Sequence, residues 1–247
     1  MTAARLYLFA LCGVLILAGC SQDRSNPSSE AAAQAASESE SATTSSAPAD
    51  TSASEAIRVL VLGNSIAAGN GLADPSTQAF PARLQQRVDS LGWNVQVQNA
   101  GLSGETSAGG LRRVGWLLSQ PVDVLILELG GNDGLRGVDP SATKENLTAI
   151  IDTTLDRYPD ARVLLAGMQV PPNLGEQYTQ QFRQIYPSIA ASYDPVTLIP
   201  FILDGVGGVD AMMQDDGIHP TAKGHRRVAE NVWEVLRPTL DSLRQRS

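Results

Sequence analysis

Three polar side chains of this sequence are of the types that together activate a serine for nucleophilic attack. Ser65 comes shortly after the apolar run 57–62, and Asp216 and His219 lie three residues apart near the end of the chain. A serine hydroxyl is a weak nucleophile until a base takes its proton. A histidine can be that base, while a carboxylate holds its tautomer and stabilises the imidazolium. We therefore predict a catalytic triad of Ser65, His219 and Asp216, if the fold brings the two ends of the chain together.

The same chemistry needs fixed hydrogen-bond donors for the oxyanion of a tetrahedral intermediate. The backbone N–H of Ser65 lies at the start of a predicted turn or helix, where amides lack helical partners. Gly101 offers an N–H with no side chain in the way, and Asn132 offers a side-chain amide. We predict that these three residues form an oxyanion hole.

Apolar patterning predicts the elements that must position these residues. Apolar runs and alternation predict five strands, at 57–62, 94–99, 122–129, 162–166 and 196–201. Helical spacing predicts helices at 80–91, around 111–118, from 140 to 155 or beyond, at 176–192 and at 221–243. This alternation is typical of a parallel sheet covered on both faces, a three-layer α/β/α arrangement. Sites in such sheets form at the carboxyl ends of strands, and Ser65, Gly101 and Asn132 each follow a different predicted strand.

Several of these residues also have a purely structural interpretation. Ser65 could cap a helix, and glycines and Asn132 could be turn residues. The occurrence of all of them after strand ends favours the functional interpretation. Other polar and aromatic residues are predicted to be structural: His225 on a solvated helix face, Glu128 and Asp133 in local hydrogen bonds, and Trp93, Trp116 and Trp233 in packing.

Four blocks of the sequence resemble those of the SGNH/GDSL hydrolases, in the same order along the chain. They are residues 63–69, 99–106, 128–137 and 216–220. The third and fourth look most like the branch of periplasmic arylesterases, acyl thioesterases and lysophospholipases. The resemblance implies a flavodoxin-like fold with a five-stranded parallel sheet, and an acyl-enzyme mechanism without a cofactor. It also implies acyl ester or thioester substrates, with residues 168–178 bordering an acyl groove.

Two local features qualify the resemblance. The family usually has aspartate where this chain has Asn64, which bears on the pH profile more than on the fold. Ala67 stands where the Gly-x-Ser-x-Gly elbow of α/β-hydrolases has its last glycine, so that class is disfavoured. Two alternatives stay open at this point: a carbohydrate O-deacetylase of the same fold, and a catalytically inactive surface-binding lipoprotein.

The N-terminal region carries a targeting signature. Residues 6–18 are almost wholly apolar, too few for a membrane span of ~20 residues, and they lead into Cys20 in a segment resembling the lipobox of bacterial lipoproteins. We expect residues 1–19 to be a signal peptide, Cys20 to be lipidated, and residues 20–55 to be a disordered tether rich in Ser, Ala and Glu. An ordinary secretory signal is the alternative. The hydrolase domain is expected at 56–247, in the bacterial cell envelope and facing the periplasm from the outer membrane.

The overall charge and composition limit the partners. The formal net charge is −8, and the only lysines are Lys144 and Lys223, so nucleic acid is not an expected partner. The two cysteines, Cys12 and Cys20, leave no thiol or disulfide in the expected mature fold, and no histidine–cysteine cluster suggests a metal. We expect a monomer that needs no metal or cofactor.

Overall fold

The computed structural model describes residues 55–246. The predicted signal peptide, the lipidation site Cys20 and the tether up to residue 54 lie outside the described residues. The strands are β1 (Ile57–Gly63), β2 (Val95–Gly101), β3 (Val124–Glu128), β4 (Arg162–Ala166) and β5 (Val196–Ile199). The helices are α1 (Ser65–Ala68), α2 (Pro75–Gln78), α3 (Phe80–Ser90), α4 (Ser107–Leu117), α5 (Gly131–Leu135), α6 (Pro140–Arg157), α7 (Glu176–Ala190) and α8 (Ala222–Arg244). A single 3₁₀ turn over Pro172–Leu174 precedes α7.

The five strands form one parallel sheet in the order β2-β1-β3-β4-β5, which confirms the predicted flavodoxin-like arrangement. Strand β1 lies between β2 and β3, so the chain first adds a strand on one side of β1 and then continues on the other side. Sites of open α/β sheets form at such a switch point. At the carboxyl end of β1, Gly63 is paired with Gly101 on one side and with Glu128 on the other. The segments that follow these three strands therefore begin at the same edge of the sheet.

Helices cover both faces of the sheet. Helix α3 packs against α8 in one layer, while α4 packs against α6 and α6 against α7 in the other. The inward side of α3 carries Phe80, Leu84 and Val88 at four-residue spacing, all fully buried. Helix α6 begins as predicted, with Asp139 accepting a hydrogen bond from the Ser141 N–H. No helix within residues 55–246 combines the length and apolar character needed to cross a membrane.

Two of the three tryptophans pack against each other, and the third is exposed. The rings of Trp93 and Trp233 stack 5.7 Å apart, and the guanidinium groups of Arg244 and Arg87 lie over them at 4.2 Å and 4.9 Å. Trp116 was also predicted to pack, and that prediction is wrong, because its side chain is 75% exposed on α4.

The prediction that His225 lies on a solvated helix face is wrong as well. His225 is fully buried, and its Nδ1 accepts a hydrogen bond from the Phe80 N–H at 3.3 Å. It shares the inward side of α8 with Val228, Ala229 and Val232, at helical spacing. The basic residues that follow it in sequence point to other sides of the helix and gave the misleading signal.

Burial of His225 predicts a loss of stability in mild acid. Desolvation, with lesser contributions from Arg83 and His219, lowers its pKa from 6.5 to about 4. In the unfolded chain His225 binds a proton below about pH 6.5, whereas in the folded protein it does so only near pH 4. The free energy of unfolding therefore falls by about 3 kcal/mol as the pH is lowered across that window. Urea unfolding at pH 7.5 and pH 5 should show a smaller acid loss in His225→Asn than in the wild type. Equal losses in the two proteins would contradict this origin.

Candidate active site

Ser65 is the first residue of α1, a one-turn helix separated from β1 by Asn64 alone. Asn64 caps this helix, since its Oδ1 accepts a hydrogen bond from the Ile66 N–H at 2.9 Å. Gly69 ends the helix with φ 74°, a left-handed conformation that glycine adopts without strain. The chain thus turns sharply beyond the sheet edge and presents Ser65 there.

The last residue of β3 also holds the turn after β1 through hydrogen bonds. Glu128 Oε2 accepts hydrogen bonds from the backbone N–H groups of Asn64 at 3.0 Å and Ala67 at 3.3 Å. Asp133, the other residue predicted to make local bonds, accepts from the N–H of Ser107 at 2.8 Å and from its hydroxyl at 2.5 Å. Both residues make structural hydrogen bonds as predicted, but these bonds are not local, because the partners lie 26 to 64 residues away in sequence.

The turn after β1 and the turn before α8 meet at Ser65. His219 Nε2 lies 2.9 Å from Ser65 Oγ, and His219 Nδ1 lies 2.6 Å from Asp216 Oδ2. The other carboxylate oxygen of Asp216 accepts from the N–H groups of Ile218 and His219 at 2.8 Å and 2.9 Å. Gly217, with φ 67°, allows this tight turn. The structure therefore brings together the three side chains predicted to form a triad.

The surroundings of Asp216 keep it ionised. The hydrogen bond with the His219 side chain, together with the two backbone N–H groups, lowers the pKa of this carboxyl from 3.8 to about 2. Asp216 is therefore a carboxylate across the whole neutral and mildly acidic range. It can hold the His219 ring with Nε2 directed at Ser65 and stabilise a proton that His219 takes up.

Two of the three predicted oxyanion donors lie at this site. In the turn, the N–H groups of Asn64, Ile66 and Ala67 are bonded to side chains, whereas that of Ser65 meets no acceptor among residues 55–246. Asn132 lines the same cleft as Ser65. Its side-chain amide donates to the Glu105 carbonyl at 2.9 Å, which orients the group and leaves its second N–H without an acceptor among residues 55–246.

Gly101, the third predicted donor, is placed differently. Its N–H donates to Asn99 Oδ1 at 2.9 Å, and the same Asn99 side chain donates to the Ala67 carbonyl at 2.8 Å. A side chain on Gly101 would collide with α1, because its Cβ would lie 2.3 Å from the Ala68 nitrogen. The structure thus does not bring a free Gly101 N–H to the site, and packing accounts for the glycine.

A donor that the sequence analysis missed lies three residues further on. Gly104 has φ 79°, and its N–H meets no acceptor in the described part of the chain. The carbonyl of the next residue, Glu105, receives the Asn132 amide, so the Gly104–Glu105 segment runs beside that group. The Arg136 guanidinium donates to the Gly104 carbonyl at 2.9 Å and fixes the peptide on its other side. The only sequence signal was a second glycine in the block 99–106.

A partly buried ion pair fixes the loop that carries Gly104. The guanidinium of Arg113 pairs with Glu105, Nε lying 2.8 Å from the carboxylate. Its Nη2 also donates to the Ala100 carbonyl at 2.6 Å. Because one side chain bonds both the end of β2 and the following loop, the loop is fixed relative to the sheet edge.

An apolar cleft of about 260 Å³ opens beside Ser65. The first four residues of the predicted groove border 168–178 line it, together with residues that follow β1, β3 and β5. Its apolar lining includes Ile66, Leu135, Met168, Val170, Phe201, Leu203, Met213 and Ile218. An apolar group attached to a carbonyl at Ser65 would be removed from water in this cleft.

A larger and more open groove of about 770 Å³ lies between α6 and α7 and has Lys144 and Arg183 in its lining. No residue of the Ser65–His219–Asp216 set borders it. Within residues 55–246, no three or more His, Cys, Asp or Glu side chains gather as ligands for a metal ion.

The fold and the arrangement of Ser65, His219 and Asp216 define the class of flavodoxin-like α/β serine hydrolases. A model of the GDSL-like Lipase/Acylhydrolase family matches residues 61–227. The chain belongs to this family, as the four sequence blocks predicted.

Individual relatives point to the same branch. The chain is 45% identical over 183 residues to Esterase TesA of Pseudomonas aeruginosa, covering 74% of this chain and 89% of the relative. It is 38% identical over 191 residues to Thioesterase 1/protease 1/lysophospholipase L1 of Escherichia coli K12, covering 76% and 88%. The crystal structure of TesA superposes with a TM-score of 0.69, covering 74% of this chain and 99% of that one.

The geometry of Asp216 predicts a selective loss of activity in Asp216→Asn. The amide oxygen can still accept the two backbone N–H bonds, but the negative charge that stabilises protonated His219 is lost. We expect kcat for a nitrophenyl ester to fall roughly 10²–10⁴-fold with the fold intact. The neighbouring exposed Asp215→Asn is the matched control and should keep wild-type activity. A wild-type kcat in Asp216→Asn would contradict the assigned role.

Proposed function

We propose that this protein is a serine esterase that hydrolyses carboxylic esters and thioesters through an acyl-enzyme on Ser65. The observation that carries the proposal is the continuous set of contacts from Ser65 Oγ to His219 Nε2, 2.9 Å, and from His219 Nδ1 to Asp216, 2.6 Å. These are hydrogen-bond distances, so proton transfer needs no rearrangement of the three groups.

The reaction follows from the roles of the three groups. Ser65 Oγ attacks the ester carbonyl while His219 Nε2 takes its proton, and Asp216 stabilises the imidazolium that forms. The imidazolium then gives its proton to the departing alcohol or thiol, leaving the acyl group on Ser65. Water, deprotonated by His219, attacks this acyl-enzyme, and the carboxylic acid leaves when Ser65 recovers its proton.

We assign the oxyanion hole to the Ser65 N–H, the Gly104 N–H and the Asn132 side-chain amide. Gly104 replaces the predicted Gly101, whose N–H is engaged by Asn99. The support for this set is that each group keeps an N–H without an acceptor among residues 55–246 while its neighbours are fixed by hydrogen bonds. Donors fixed in advance stabilise developing charge without reorganising during the reaction.

The apolar cleft supports an acyl chain as the group bound beside Ser65. Side chains such as Met168, Phe201 and Met213 offer hydrocarbon contact and few hydrogen bonds. The names of the relatives, an esterase and a thioesterase/lysophospholipase, agree with that substrate class. A sugar substrate would call for several convergent polar groups, so the cleft does not favour the O-deacetylase alternative. The inactive-lipoprotein alternative rested on Asn64, which still caps the nucleophile helix through its Oδ1.

Replacement of the nucleophile tests the proposal. Ser65→Ala should lower hydrolysis of nitrophenyl esters by roughly 10³-fold or more and abolish labelling by a fluorophosphonate. Ser90→Ala, which changes an exposed serine at the end of α3, is the control.

In the wild type, kcat/KM for esters of increasing acyl length should rise roughly fourfold per added CH₂ until the cleft is filled, since each buried CH₂ contributes ~0.8 kcal/mol.

Full hydrolysis by purified Ser65→Ala would refute the serine mechanism. A wild-type preference for acetyl esters of sugars over longer acyl chains would instead favour the O-deacetylase.

We propose further that the enzyme is a monomer anchored through lipid on Cys20 at the periplasmic face of the outer membrane of a bacterial envelope. The support lies in the sequence, where an apolar segment of signal-peptide length leads into Leu17-Ala18-Gly19-Cys20. Two or more acyl chains give stable anchoring, whereas a single chain is marginal.

Substitution of the two cysteines separates anchoring from secretion. Cys20→Ala should move the protein from the carbonate-washed membrane fraction to the soluble fraction, because it removes the thiol that carries the lipid. Cys12→Ala, which alters a cysteine within the predicted signal peptide, should leave the protein in the membrane fraction. Membrane retention of Cys20→Ala would refute the anchor.

A further inference from the structure

Glu128 is a fully buried carboxyl group that the catalytic steps do not use. It ends β3, and its Oε2 accepts hydrogen bonds from the Asn64 and Ala67 N–H groups, which flank Ser65 on both sides. Its Oε1 has no hydrogen-bond partner within residues 55–246. A buried carboxyl with one oxygen unpaired is costly, so a substantial benefit must offset its presence at this position.

The sheet register makes room for this side chain. Glu128 and Gly63 are direct partners across β1 and β3. A Cβ on Gly63 would lie 2.6 Å from Glu128 Oε2 and 2.6 Å from the Ala67 Cβ. The missing side chain at position 63 thus gives the carboxyl its path to the turn above β1.

The hydrogen bonds of Glu128 decide which amide of the turn stays free. The N–H groups of Asn64 and Ala67 are taken by Glu128, and that of Ile66 is taken by the Asn64 side chain. The Ser65 N–H is the one between them that no described residue engages. A shift of the turn would alter both the direction of Ser65 Oγ and the position of this N–H.

We propose that Glu128 is a positioning residue for the nucleophile, holding the turn in the shape that directs Ser65 Oγ at His219 and its N–H at the oxyanion. The inference rests on the proposed esterase function and adds to it a residue outside the triad and the oxyanion hole. Glu128 itself touches neither substrate nor reacting atoms, since it acts through the backbone of Asn64 and Ala67.

The charge state of Glu128 defines the conservative replacement. Burial raises the pKa of this carboxyl from 4.5 to about 8, although the N–H groups of Asn64 and Ala67 act in the opposite direction. At pH 7 the group is therefore largely neutral. Glutamine has the same length, is neutral and keeps one oxygen that can accept both N–H bonds. Methionine has similar length and volume but offers no such acceptor.

The test compares Glu128→Gln, Glu128→Met and the wild type by kcat, KM and the rate of fluorophosphonate labelling, with unfolding measured in parallel. We expect Glu128→Gln to keep kcat within about threefold. Glu128→Met should lose roughly 10²-fold in kcat and in labelling rate, because a displacement of about 1 Å at a nucleophile has that effect. KM should change little, since Glu128 does not line the acyl cleft.

Leu240→Ala is the control for stability alone. Leu240 is fully buried in the last turns of α8 and takes no part in the site, and its truncation should lower the urea midpoint of unfolding because it leaves a cavity. We expect this variant to keep the wild-type kcat at temperatures where it is folded. If Glu128→Met does not fold, Glu128→Asp gives the same test, because its shorter side chain withdraws the oxygens from both N–H groups. It should lose at least tenfold in kcat while Glu128→Gln does not.

Two results would overturn the proposal. One is a wild-type kcat in Glu128→Met, or in Glu128→Asp if that variant is used. The other is an equal loss in Glu128→Gln and Glu128→Met, which would mean that the accepted hydrogen bonds are not what matters. In both cases Ser65→Ala separates the two hypotheses. If that variant is inactive, only the role of Glu128 is refuted; if it is active, the esterase function itself is refuted.

Discussion

The site depends on the pairing of β1 with β3 at the switch point of the sheet. Parallel strands in register end at a common edge, so Gly63 and Glu128 lie side by side where the nucleophile turn begins. A small residue on β1 and a long one on β3 fill that space together. The turn after β1 is therefore supported from the neighbouring strand, and the position of Ser65 depends on contacts made 61 to 64 residues further along the chain.

Asn64 stands where the family usually has aspartate, and the contacts around it explain why an amide is compatible with this position. Asn64 is nearly fully buried, and its N–H is bonded to Glu128. An aspartate there could also cap α1 through Ile66, but it would place a second acidic group beside a buried carboxyl, and two such groups disfavour each other's ionisation. The amide performs the capping function without adding a charge, so the substitution is compatible with a working nucleophile turn.

The sequence predicted the elements well because their signals are local. The apolar runs and stripes located all five strands and the long helices, and strand ends then indicated which polar residues would meet. The errors have two origins, namely hydrogen bonds that apolar patterning does not encode and a helical pattern that was outweighed by neighbouring charges. Whether Gly101 or Gly104 keeps a free N–H depends on side-chain hydrogen bonds, made by Asn99 two residues before Gly101 and by Asn132 further along the chain, and on the path of a short loop. His225 was misassigned because charged neighbours outweighed its helical spacing with Val228 and Val232, which pointed to the core.

Asp216 and Glu128, the two carboxyl groups that hold parts of the site, illustrate how one fold assigns different tasks to similar side chains. Asp216 is partly exposed and receives three hydrogen bonds, which hold its pKa near 2 and keep the charge that His219 needs. Glu128 is fully buried and receives two, and desolvation outweighs them so that its pKa rises to about 8. Environments that drive two pKa values apart commonly mark a division of roles within one site. Here the ionised group would act on the base through charge, and the neutral group would act on the nucleophile through shape, so that exchanging their environments would disable both.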